Sequence, residues 1–133
     1  MAEVRNLEQT PLHLGLGSTA VPQPAFTGSM EWYEDYGART AADGTEGRLV
    51  GMHTFTENWA SWEMHPAGAE VVLCVAGEMT LIQQFPGDRE EQVTIRAGEY
   101  AINPPGVWHS ADICGEATAV FITAGFGTDN RPR

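Results

Sequence analysis

The sequence predicts an all-β fold, a sandwich or barrel of short strands, and three observations carry that prediction. Eight short runs rich in Val, Ile, Thr and aromatic residues follow Arg48, each bounded by turn-forming residues. Gly 15 and Pro 8 make 23 of 133 residues and fall between those runs rather than in one block. No segment carries helical apolar spacing long enough to compete.

The elements follow in chain order. Residues 1–28 hold little periodicity and several prolines, which predicts an extended or partly disordered N-terminal arm laid over the remaining domain or over a partner subunit. Residues 29–133 form the barrel domain, and they open on MEWY, read as a strand, and AADG, read as a turn. The runs RLVGMHTF, WASWEMH, AEVVLCVA, EMTLIQQF, EQVTI, EYAIN, VWHSADI and ATAVFIT come next. Their separators EN, PAG, Gly77, PGDRE, RAG, PPG and CGE are spaced as in hairpins.

Charge narrows the function. Lys+Arg 7 against Asp+Glu 18 gives −11, a surface that repels phosphate backbones and anionic headgroups, so neither nucleic acid nor membrane is expected as a partner. No apolar run approaches the ~20 residues of a membrane helix, and MAEVRNLEQT lacks a signal-peptide core, so a cytoplasmic location is expected. Cys74 and Cys114 are too few for a disulfide framework and read as reduced thiols.

Alternation along strands places the candidate chemistry. Glu63 and His65 point to one face, and Glu70 shares its face with Val72 and Cys74. His109 follows the stiff turn NPPGVW, so two histidines and two carboxylates from three strands can converge inside one barrel. Buried carboxylates are costly unless paired, protonated or bound to a cation, which favours a ligand role. Trp59 shares the face of Glu63. With His53, Cys74 and Tyr100 it completes the expected lining of a small, mostly apolar substrate pocket. Trp62, Met64, Val71, Leu73 and Val75 face outward and need cover, from the arm or from the second subunit of a homodimer.

These residues resemble the cupins, small jelly-roll barrels with two spaced motifs. Glu63 stands where the first motif has its first His, His65 fills the second, four residues lead to Glu70, and six more lead to Gly77. Gly98, Pro104, Gly106 and His109 match the second motif, whereas Glu57 falls where the first motif opens on Gly and Ile113 where the second closes on Asn. The resemblance implies one divalent metal ion held by Glu63, His65, Glu70 and His109, with Glu63 in place of a family His. Two neutral imidazoles and two carboxylates around such an ion are formally neutral, and the hard oxygens favour iron, manganese or zinc.

Three functions are compatible with that set. The first is metal-dependent oxidoreduction of the dioxygenase kind on a small organic metabolite. The second is non-catalytic binding or sensing of a small molecule. The third is metal-independent isomerase or epimerase chemistry, with Glu63 and Glu70 repelling so that one titrates at raised pH as an acid or base.

Overall fold

The computed structural model describes residues 3–133, and the first two residues of the N-terminal arm lie outside them. Nine strands form one antiparallel sheet that curls into a jelly-roll barrel, as the sequence predicts. In chain order they are β1 (Leu12–Gly15), β2 (Thr19–Pro22), β3 (Arg48–Phe55), β4 (Ser61–Met64) and β5 (Glu70–Phe85), then β6 (Arg89–Arg96), β7 (Tyr100–Asn103), β8 (Trp108–Thr123) and β9 (Asp129–Pro132). No described helix is long and apolar enough to cross a membrane.

Two pairs of predicted runs are in fact single strands. AEVVLCVA and EMTLIQQF join as β5, and VWHSADI and ATAVFIT join as β8. The two long strands pair along nearly their whole length, with register shifts at Cys74/Ala76 and Gly77/Met79. Gly77 sits at φ +75, so it bends a continuing strand rather than closing a hairpin. One long strand can thereby serve both layers of the barrel. Their inner faces form a core of Val72, Cys74, Met79, Leu81, Ala111 and Phe121.

MEWY is a helix, not a strand: α1 spans Met30–Arg39. Ser29 caps it, its side chain accepting from the Trp32 amide at 3.2 Å, while Glu31 and Arg39 suit the two ends of the helix dipole. Trp32 and Tyr36, one turn apart, stack with centroids 5.8 Å apart, and Trp32 is buried. Those aromatic residues follow a helical period.

The segment before α1 is ordered as a β1–β2 hairpin whose first strand extends the sheet by pairing with β3. A buried histidine fastens hairpin to helix. His13 Nε2–H donates to Asp43 at 2.6 Å and Nδ1 accepts from the Tyr36 hydroxyl at 2.6 Å. Its partners leave the ring one compatible tautomer. Burial, ahead of the Asp43 charge, pushes the Tyr36 phenol up to about 12.

Candidate metal centre

The barrel brings Glu63, His65, Glu70 and His109 together. Glu63 on β4 pairs across to His109 on β8, which pairs in turn with Gln83 on β5. Glu70, at the start of β5, lies opposite Asn103 on β7. His65 follows β4 directly. One ligand atom from each of Glu63, His65 and His109 falls within 4.8 Å of the others. Glu70 approaches both imidazoles, at 3.1 Å from His65 Nε2 and 3.3 Å from His109 Nε2. Glu63 Oε2 lies at 3.8 and 3.9 Å from the same two nitrogens. His65, Glu70 and His109 are buried, and Glu63, with a third of its side chain exposed, forms the open side.

Hydrogen bonding fixes what these groups offer. The Thr128 hydroxyl donates to the Gly125 carbonyl at 2.8 Å, so its oxygen accepts from His65 Nδ1–H at 2.8 Å. The Val107 carbonyl only accepts, so His109 Nδ1 donates to it at 3.3 Å. Both neutral rings therefore present the Nε2 lone pair to the centre. Each Nε2 is buried with no hydrogen-bond partner. Glu70 is held by Asn103 Nδ2 at 3.0 Å and by the Thr123 hydroxyl at 2.6 Å, and Gln83 Nε2 donates to Asn103 Oδ1 at 2.9 Å. Two imidazole lone pairs and two carboxylates thus converge with no hydrogen donor between them, the donor set of a divalent cation. The residues present fit the ion that the sequence implies.

The charges respond accordingly. Burial opposes ionisation of Glu70, but the two histidines outweigh it and hold the carboxyl well below the usual range. For Glu63, burial comes first and the Glu70 charge second, and both push its pKa above 4.5. Burial works against a charged His65, yet Glu70 and Glu63 prevail and raise it above 6.5.

The remaining pocket residues are placed unevenly. The Trp59 ring lies 6.5 Å from that of His109, beside the centre. His53 packs against Phe121 and Phe26 and hydrogen-bonds neither ligand carboxylate, so it is a wall residue. Two assignments are corrected. Tyr100 is 65% exposed and pairs with Leu73, on the face opposite Val72 and Cys74, so it lies outside the barrel. Cys74 is fully buried in the core with its thiol aimed at the Ala76 carbonyl, which makes it packing rather than pocket lining.

Asn103, Gln83, Thr123 and Thr128 were not anticipated. Gln83 and Asn103 could have been suspected as polar residues on inward strand positions, whereas Thr128 has no motif to mark it. Thr128 sets the His65 tautomer, so Thr128→Val is expected to weaken divalent-metal binding by about 10- to 100-fold in a competition titration, with the fold retained. Unchanged affinity would show that the His65 ring is fixed by packing alone.

Comparison with known proteins bears on this geometry. The model of a family described as the cupin domain matches residues 54–125. No relative is found among curated proteins. Among solved structures, Peruvianin-I, a cysteine peptidase from Thevetia peruviana latex, is similar at TM-score 0.54 and 15% identity over 65% of this chain and 55% of that one. An oxalate oxidase is similar at TM-score 0.53 and 21% identity, over 61% and 44%. Hydroquinone 1,2-dioxygenase from Sphingomonas sp. TTNP3 is similar at 0.51 and 14%, over 57% and 58%. The chain thus matches about half the length of these proteins, and at such identities the likeness is one of fold.

Proposed function

The chain belongs to the cupin domain family, and from that premise we propose that it is a metal-dependent cupin acting on a small organic molecule, in oxidoreduction of the dioxygenase kind. Glu63, His65, Glu70 and His109 hold one divalent ion in this reading, iron, manganese or zinc. The observation that carries it is the pair of buried, unpartnered Nε2 atoms facing two carboxylates. Bound iron or manganese supplies Lewis acidity and redox chemistry at open coordination positions.

The chain's own residues do the rest. Asn103 and Thr123 keep Glu70 ionised and fixed, Thr128 and the Val107 carbonyl aim the imidazoles, and Glu63 is the ligand nearest the entrance. The outer face that carries Val75, Tyr100 and Ile102 exposed is where a second copy would pack in a homodimer.

The raised pKa of Glu63 supports a second reading, acid–base catalysis without metal. Metal titration across pH separates the two. Protons on His65 and Glu63 compete with the ion, so metal affinity should rise as pH passes 6.5 and level once both are deprotonated. Without metal, the contribution of His65 to stability is complete below its ordinary value of 6.5 and is lost as pH rises through the raised one. Glu63 follows the same sign from 4.5 upward. Metal-free protein is therefore expected to melt lower at alkaline pH, and divalent metal to reverse the loss. Glu63→Ala should bind metal more weakly and flatten the pH dependence. A melting temperature that falls with pH but is indifferent to metal would leave acid–base catalysis as the better account.

A further inference from the structure

The four candidate ligands are not held alike. Glu70 and His109 sit on β5 and β8, the long strands that pair along nearly their whole length, and their partners Asn103, Thr123 and Val107 belong to the same barrel. Glu63 and His65 come from β4 and the residue after it. That strand meets β8 at one registered pair, Glu63 with His109, supplemented by the Ser110 hydroxyl donating to the Ser61 carbonyl at 2.9 Å. Its other side lies along β9 for its whole length, from Ser61 opposite Pro132 to Met64 opposite Asp129. Half of the donor set therefore depends on β9.

β9 is an edge strand whose four residues are all exposed, so apolar burial does not keep it in place. Two arginines do so instead. Arg131 lies over the Trp108 ring at 4.3 Å and the Trp62 ring at 5.8 Å, and it donates to Gln84. Arg133 pairs with Asp112 at 2.7 Å and donates to the Trp59 and Ala111 carbonyls at 3.2 and 3.3 Å, while its own amide donates to the Ala60 carbonyl at 3.0 Å. These contacts tie β9 past β4 to β8 and β5. Just before β9 the link to the centre is direct. Thr128 accepts from His65 Nδ1–H at 2.8 Å, and a Cβ on Gly127 would stand 3.1 Å from Pro66, the residue after His65. Exposed ion pairs and cation–π contacts are individually weak, so β9 opens at a lower free energy than the barrel strands.

Resting on the metal reading, we propose that β9 is a clasp on the centre, with Arg131 and Arg133 as positioning residues that act through β4 and Thr128. Docked, it keeps Glu63 and His65 aimed at the place that Glu70 and His109 face. Released, it frees the first pair while the second stays fixed to the barrel, so exchange of the ion with solvent runs through local opening of β9. Linkage makes the effect reciprocal, and bound metal stabilises the docking of β9 by as much as the clasp stabilises bound metal.

Hydrogen exchange and metal release read the two directions. Wild-type protein is loaded with cobalt(II) or zinc and its metal content is measured. Exchange of the β9 amides is expected to slow by about tenfold or more on loading, a measurement that needs no variant. The double variant Arg131→Ala/Arg133→Ala should release the ion to excess chelator about 5- to 30-fold faster. Arg133→Lys should be milder than Arg133→Ala, because it keeps the charge for Asp112 and loses only the fork to the two carbonyls. Gly115→Ala, which strains β8 at φ +73 away from its contact with β4, should release at the wild-type rate. Exchange of β9 indifferent to metal, release from the double variant at the wild-type rate, or equal acceleration by Gly115→Ala overturns the clasp, while the measured metal leaves the metal reading standing. Protein that takes up no metal overturns both.

Discussion

Replacing His109 with Ala is expected to remove stoichiometric metal binding while the barrel persists. His109 is 1% exposed, its Nδ1 is anchored on the Val107 carbonyl, and its Nε2 has no task other than facing the centre. Losing a ligand should cost more than losing a ligand's support, so affinity is expected to fall by over about 100-fold, beyond the range for outer partners. The vacated space costs on the order of 1–3 kcal/mol of stability, which a domain with about 5–15 kcal/mol tolerates. Circular dichroism should therefore report an intact β fold in a protein that no longer holds metal. His65→Ala should behave alike. Full metal retention in both variants would mean that the carboxylates alone bind the ion.

The largest effect on folding is expected at Gly77. An added Cβ would lie 2.0 Å from the Glu116 carbonyl oxygen of the paired strand, and the residue sits at φ +75. Gly115 provides the control, at φ +73 with nothing within 4 Å of its Cβ position. Gly115→Ala should cost only the conformational penalty, about 1–2 kcal/mol. Gly77→Ala adds a backbone collision that only a shift of β8 against β5 can relieve, so a loss of about 3–5 kcal/mol or failure to fold is expected. Urea denaturation of the two variants measures the difference. Equal costs would show that the bulge absorbs the methyl without disturbing the long strands.

The sequence discloses the four candidate ligands because strand alternation is strict and local. Glu63 and His65 are two apart and Glu70 opens its strand, so one pocket receives all three without knowledge of the turns. The same parity holds on β5 as far as Cys74, after which the register shifts move the inner face to Met79 and Leu81, and it does not say how deep a residue lies. Cys74 has the right face and the wrong depth, in the core rather than beside the ligands. Tyr100 shows the converse difficulty: its orientation depends on pairing with Leu73, a register that nothing near it in sequence announces. Gly77 and Gly115 look like hairpin punctuation because positive φ serves turns and bulges equally.

Helix α1 is hidden for a different reason. Its apolar content is low, and its aromatic residues Trp32, Tyr33 and Tyr36 favour strands as single residues. Their one-turn spacing and the Ser29 cap carry the opposite message, and packing against Phe26 and His13 decides in favour of it. The outer support of the centre is least legible. Thr128 reaches His65 across 63 residues, and a single hydroxyl leaves no pattern in the chain.

The metal content of the purified wild-type protein, measured by elemental analysis before and after a chelator and again after re-addition above pH 6.5, tests the central claim most directly. The account predicts about one equivalent of iron, manganese or zinc, removed by the chelator and taken up again. No metal at the outset and none bound on re-addition would contradict it, and Glu63 would then be the residue that has converted a metal centre into an acid–base site.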